Sequence, residues 1–259
     1  MTRPDYDRTG AAVSYRQGRT LPSLMLEGWR HALTAAFERP VGRVLDVGSG
    51  TGQFVGPLET WLGADVIALE PSAAMRAESS ASTIVAGRVE ALPLAASSID
   101  LAWLSAVVHQ IDDLPAGVRE LRRVLRPGGR VAVRGYFADQ GPIGWFAHFP
   151  GIERSIARFP TSDSIIEAFA EVGIQLQVAT TVDEVWLFSV TTYTEQVGLL
   201  RHTDSMLGPL TDDEIEAGLA SVAATFADPD AIHEVHGPLR LLVLGVESGG
   251  SLDRALSAG

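Results

Sequence analysis

The amino-acid sequence predicts an α/β fold: a seven-stranded, mostly parallel sheet with helices on both faces. Three observations point there. Short apolar runs of strand length alternate along the chain with longer segments whose apolar residues recur at helical spacing. The first such run, Val44-Leu45-Asp46-Val47, ends in a turn of alternating glycines, Gly48-Ser49-Gly50-Thr51-Gly52, and a helical pattern begins near Thr51. The second run, Asp65-Val66-Ile67-Ala68-Leu69, ends in an acid, Glu70. A strand, a glycine turn, a helix and an acid at a neighbouring strand tip together make a nucleotide-binding corner.

The rest of the chain is organised around that turn. Gly48, Gly50 and Gly52 lack a Cβ, so the backbone can take unusual dihedrals and a ligand can lie against it. The following helix aims free N–H groups and its positive dipole end at the ligand. The spacing G-x-G-x-G departs from the G-x-G-x-x-G of dinucleotide sites. Asp46, just ahead of the turn, is a poor neighbour for a pyrophosphate and a good one for a cation. The stretch Val44-Leu45-Asp46-Val47-Gly48-Ser49-Gly50-Thr51-Gly52 resembles the first motif of the class I SAM-dependent methyltransferases. SAM, S-adenosyl-L-methionine, carries a sulfonium and an ammonium, which suit the carboxylate. The resemblance implies a Rossmann-like sheet with SAM as cofactor. Asp46 and the Gly48 to Gly52 turn, with Ser49 and Thr51, would hold the methionine end, and Glu70 the ribose hydroxyls.

The remaining elements follow in order. From Tyr6 to Phe37 the pattern is helical, broken at Gly18-Arg19 and restarting near Pro22. Tyr6-Asp7 and the later Tyr15-Arg16 pair resemble the UbiE-like small-molecule branch of the family, whose N-terminal helices form a lid over the SAM site; Tyr15 would touch cofactor and Tyr6 substrate. Arg39-Pro40-Val41-Gly42 links into the first strand. The helix near Thr51 carries Phe54, Val55, Leu58, Trp61 and Leu62 as core residues. Pro71-Ser72 starts a helix whose Met75, in similar enzymes, points back to the adenine. Thr83 to Ala86 is the third strand. It leads into Gly87-Arg88-Val89-Glu90, where the family usually has an Asp in place of Arg88. Arginine cannot accept from an adenine amino group, so adenine reading falls to Val89 backbone or Glu90.

Ser98 to Leu104 resembles the family's fourth strand and leads to Ser105-Ala106-Val107-Val108-His109. In open α/β sheets the crevice lies outside the carboxyl ends of the strands, which puts Ser105 to His109 beside the transferred methyl and makes His109 the candidate base. Leu114 to Leu125 is a helix stopped by Arg126-Pro127-Gly128-Gly129, and Gly129 to Arg134 is the fifth strand. The region from Tyr136 to Phe159 is dense in aromatics, including Trp145, Phe146, His148 and Phe149, and reads as a mobile wall over an apolar pocket. Thr161 to Val172 is a helix with Ser162 or Asp163 as N-cap and Gly173 closing it. Ile174 to Phe188 is a long strand. Helices return from Thr191 to Phe226 through the capping box Thr211-Asp212-Asp213-Glu214, and Pro238 to Val246 is the last strand, in a reversed hairpin. Similar enzymes place Tyr193, Arg201, His202, Ser205 and Met206 near substrate. The Ser/Gly-rich tail from Glu247 is expected to fray.

These boundaries give N-terminal lid helices over 1–40, a SAM-binding core over 41–136, a C-terminal half with substrate-pocket inserts over 137–247, and a tail over 248–259. A net charge of −12 makes nucleic acid a poor partner. The arginines at 119, 122, 123 and 126 complement a helix C-terminus. There is no cysteine, hence no disulfide framework and no thiolate nucleophile or metal site. No apolar run reaches membrane-span length, and the opening residues lack a signal peptide's apolar segment. The expectation is a cytoplasmic protein acting on a small molecule, with no metal, no membrane, and a second copy of itself among the candidate partners. The expected reaction is SN2 methyl transfer to O, N or C of a small, largely apolar acceptor, possible in secondary metabolism. The alternatives are a SAM-fold protein catalysing a non-methylating cyclisation, a nicotinamide-dependent oxidoreductase, and a binding module without turnover.

Overall fold

A computed structural model describes residues 5–19, 21–37, 40–226 and 228–246. Arg39 of the expected linker and the tail from Glu247 lie outside the described residues. Seven strands form one sheet in the order β3-β2-β1-β4-β5-β7-β6. They are β1 (Arg43–Val47), β2 (Asp65–Leu69), β3 (Ile84–Val85), β4 (Ile99–Ser105), β5 (Leu125–Gly135), β6 (Ile174–Phe188) and β7 (His233–Val246). All neighbouring pairs from β3 to β5 are parallel, and β7 runs antiparallel between β5 and β6. Chain direction across the sheet reverses between β1 and β4, the switch point at which such sheets open a ligand crevice.

The nine α-helices of the described residues are α1 (Ala11–Gly18), α2 (Ser23–Ala35), α3 (Val55–Leu62), α4 (Ala73–Ala77), α5 (Leu114–Val124), α6 (Ile152–Ile156), α7 (Ser162–Ala170), α8 (Val190–Leu200) and α9 (Asp212–Thr225). Strand alternation divides the sheet's side chains between two cores. On one face Val131, Val133, Leu45 and Leu104 pack with Val118 and Leu121 of α5 and Phe169 of α7. On the other, Ala132, Val44 and Trp103 pack with Trp29 and Leu33 of α2 and Leu58 of α3. A third core of Trp145, Phe149, Phe188, Tyr193 and Val222 ties the aromatic segment to α8 and α9.

Several boundaries differ from the sequence reading. The helix after the glycine turn starts at Val55, because residues 51–54 form turns and Pro57 is accommodated near the helix start. Tyr6 stands ahead of α1, in a turn. Thr161, not Ser162 or Asp163, caps α7 by accepting from the Ser164 N–H. β7 begins at His233 rather than Pro238, and that difference shapes the site. It pairs with β5 only from Arg240 to Gly245, but with β6 from His233 to Val246. The unmatched half of the hairpin therefore projects past the carboxyl end of β5 and walls the space above the sheet. The aromatic segment divides its labour: Phe137 is buried against the sheet and Phe149 in the third core, while Trp145, Phe146 and Phe159 face a cavity.

Candidate active site

At the carboxyl ends of β1, β2 and β4 lies a crevice of about 540 Å³, walled by the glycine turn, Glu70 to Ser72 with Met75, Arg88 to Glu90, and Ser105 to Val107 with Gln110 and Ile111. Backbone geometry makes it. Gly48 has φ +65°, and a Cβ there would stand 2.4 Å from the Val107 side chain, so only glycine lets the first turn approach the end of β4. Gly50 has φ +55°, and its missing Cβ faces open space before the Tyr15 ring. Gly52 serves packing instead of ligand, since a Cβ would meet the 79–81 turn.

Glu70 is 6 % exposed. Its Oε2 accepts the Gly50 N–H at 2.9 Å and its Oε1 the Ser72 N–H at 2.8 Å. One carboxylate thus fixes the turn and the start of α4, and each oxygen keeps a lone pair for a hydroxyl. Burial raises its pKa, with the backbone N–H groups opposing. Asp46, 3 % exposed, is pushed up to about 7 by burial and then by the nearby Glu70 charge. Met75, Pro71 and Val89 line the crevice, and Glu90 accepts from the Asp112 N–H and from Arg88. Arg88 bridges to Asp112 as well, so the residue standing where the family has an acid closes the far end as an ion pair. Asp7 reaches across the crevice mouth, its Oδ1 accepting from Ser72 Oγ at 2.8 Å and the Ala74 N–H at 2.9 Å.

A side chamber of about 50 Å³ opens from the turn beneath Tyr15, with Asp46, Ser49, Thr51, Ser105, Arg19 and Arg134 in its walls. Four buried polar atoms here have no protein partner: Asp46 Oδ2, Ser49 Oγ, Thr51 Oγ1 and Arg134 Nε. Buried polar groups without partners are costly, and these four comprise an acid, two hydroxyls and a guanidinium. They fit a ligand end bearing both an ammonium and a carboxylate. The crevice and chamber together offer the acid, hydroxyl and guanidinium groups that a ligand such as SAM would need.

Beyond Ala106, which holds a left-handed φ of +53°, an apolar cavity of about 140 Å³ adjoins the crevice. Tyr6, Tyr15, Ala106 and Gln110 line both spaces. Trp145, Phe146 and Tyr193 stand in the cavity wall, and Trp145 stacks on Tyr193 at 3.9 Å between ring centroids. His109 lies there too. Its Nε2 is hydrogen-bonded to Ser205 Oγ at 2.9 Å, and its ring rests on Phe159 at 4.3 Å. Tyr6 donates to the Thr203 carbonyl and accepts from Gln110. Arg201 is a correction: its guanidinium binds the Leu207 and Leu210 carbonyls and Asp212, which makes it a fastener of the 201–212 loop and leaves it outside the cavity wall. His202 is exposed and likewise outside that wall.

Sequence reasoning missed Arg19, Arg134, Glu184 and Asp204. Arg134, 3 % exposed at the tip of β5, pairs with the buried Glu184 of the projecting β6 and donates to Ser105 Oγ at 3.0 Å. The guanidinium lies over the Trp29 and Phe54 rings, and Trp29 donates to Glu184 at 2.7 Å. Arg19 pairs with Asp204 at 3.0 Å. One signal was available: arginine at the end of an otherwise apolar strand run is costly to bury unless paired.

Residues 45–133 match the family described as Methyltransferase domain. The chain is 38% identical over 138 residues to a malonyl-[acyl-carrier protein] O-methyltransferase of Enterobacter lignolyticus, covering 51% of this chain and 53% of that one. It is 31% identical over 137 residues to a demethylmenaquinone methyltransferase of Roseiflexus castenholzii, covering 50% and 58%. The chain thus spans about half the length of these curated relatives. Among solved structures it shares its fold with a protein of Anabaena variabilis described as a methyltransferase from an antibiotic biosynthesis pathway, at TM-score 0.65 and 20% identity, covering 83% of this chain and 95% of that one. It also shares it with the [4+2]-cyclase SpnF, at TM-score 0.61 and 17% identity, covering 94% and 95%.

Proposed function

We propose that this chain, whose residues 45–133 match the Methyltransferase domain family, is a SAM-dependent methyltransferase that transfers a methyl group by SN2 displacement to an O, N or C atom of a small, largely apolar acceptor of the secondary-metabolite kind. When bound, SAM supplies the methyl on a sulfonium, already a good leaving group. The protein's contribution is then alignment and exclusion of water. Glu70 takes the ribose hydroxyls, Asp46 and the Gly48 to Thr51 turn hold the methionine end, and Val89, Glu90 and Met75 border the adenine. Ala106 stands where crevice and cavity meet, next to Ser105 in the crevice wall. His109, oriented by Ser205 and Phe159, removes the proton of a hydroxyl acceptor.

The observation that carries this reading is the junction: Tyr6, Tyr15, Ala106 and Gln110 border both spaces, so ligands in the two would meet there. Asp46 favours SAM over a dinucleotide, because its carboxylate beside the glycine turn would repel a pyrophosphate, whereas an acid at the place of Glu70 is common to both kinds of site. Calorimetry with SAM, followed by mass spectrometry of reactions with small hydroxylated acceptors, tests it. Saturable SAM binding and a one-methyl mass gain are expected; a chain that does not bind SAM would overturn the reading. The likeness to SpnF along nearly the whole chain keeps one second reading, a non-methylating cyclisation. Product formed at unchanged mass would favour it.

A further inference from the structure

The acceptor cavity is balanced in charge. Besides the histidines His109 and His236, four charged side chains reach its wall, Arg19, Arg134, Asp204 and Glu184, and each has its counter-charge: Arg134 with Glu184, and Arg19 with Asp204. Both acids are further engaged, Glu184 by the Trp29 N–H and Asp204 by the backbone N–H groups of Met206 and Leu207. At the rim, His236 is held between Asp183 and Glu234. Within the two arginine–acid pairs of the wall no charge is left to compensate an ionised acceptor, which would leave water for an apolar wall without a counter-ion.

The cavity is also small. Its volume of about 140 Å³ is close to the roughly 150 Å³ apolar cavity that holds one benzene. Tyr136, Trp145, Phe159, Trp186 and Tyr193 present ring surfaces to it. At the junction Tyr6 and Gln110 are already hydrogen-bonded to each other, and beside them in the cavity wall stands the His109–Ser205 pair. A hydroxyl can join that pair as donor or acceptor, while an attached ring lies on the aromatic wall.

We propose, building on the methyltransferase reading, that the acceptor is a neutral, single-ring aromatic compound carrying a hydroxyl, and that the paired charges and aromatic wall select against ionised and multi-ring acceptors. The E. lignolyticus relative is named for an acyl-carrier-protein substrate; the wall described here suits a free phenol instead.

The test is calorimetry on protein loaded with S-adenosylhomocysteine, using p-cresol, benzoate, benzylammonium and naphthol as probes. p-Cresol should bind about tenfold or more tightly than the other three. In Phe146→Ala, which opens the cavity wall, naphthol should gain on p-cresol. Tighter binding of benzoate, benzylammonium or naphthol to the unaltered protein would overturn the proposal, as would binding of none of the four. An unchanged order in a folded Phe146→Ala would overturn the single-ring limit. Failure to load S-adenosylhomocysteine would instead sink the methyltransferase reading itself.

Discussion

The crevice and the cavity meet at Ala106, yet they are built on different principles. Apart from the strap at residues 5–7 and the Tyr15 ring, the crevice draws its walls from residues 47 to 111, at the ends of adjacent parallel strands. Its shape comes from left-handed glycines and from one carboxylate binding two backbone N–H groups. The cavity draws on side chains from Tyr6 to Leu239, brought together by the hairpin overhang, the aromatic segment and the 203–207 loop. A site shaped by backbone at one corner of a sheet can be written in a short motif. One shaped by distant side chains is written only in the closed fold.

That contrast can be broken by experiment. The largest effect is expected at the buried ion pair in the cavity wall, Arg134 with Glu184. Glu184→Ala leaves the Arg134 guanidinium buried and uncompensated and should cost about 3–5 kcal/mol of stability, read as a lowered urea midpoint; the apolar pair Arg134→Met with Glu184→Leu should recover most of it. His109→Asn should lower turnover of a hydroxylated acceptor about 100-fold or more and leave SAM affinity unaltered, since the side chain faces the cavity. Loss of SAM binding in that variant would erase the division between the regions. Conversely, Glu70→Ala should weaken SAM binding by about 1.5–3 kcal/mol in a folded protein, by calorimetry.

The smallest effect concerns pH. Asp46 is held near 7 by burial and Glu70, so without ligand it is mostly protonated at pH 6. A cationic ligand favours the ionised form, so binding there should release a proton. SAM affinity should accordingly rise about tenfold between pH 6 and pH 8, and Asp46→Asn should flatten the profile. Calorimetry in buffers of different ionisation heat reads the proton directly.

Much of the fold was legible because apolar periodicity records burial. β1, β2 and β6 lie within a residue of their expected bounds, and the antiparallel β7 completes the seven-stranded sheet. The start of α3 was misjudged because helical spacing at Phe54 and Val55 continues back into residues that turn. The start of β7 was misjudged because Gly237 and Pro238 read as a break, whereas they sit in a hairpin arm that pairs only with β6. In the site, Asp46 and Glu70 were visible as acids ending apolar runs. Arg134 and Glu184 were not, being fifty positions apart with a meeting set by strand order alone. Arg201 misled for the converse reason: a cation near the expected pocket has carbonyls of its own loop to bind.

Asp7 ties the start of the described chain to the crevice. Its carboxylate spans from the amino terminus to the first turn of α4, so the adenosyl end of the crevice is fastened by two hydrogen bonds that do not depend on the sheet. The residues ahead of α1 are thereby anchored to α4 and not to a strand, so Asp7→Ala should loosen the crevice mouth while leaving the sheet intact.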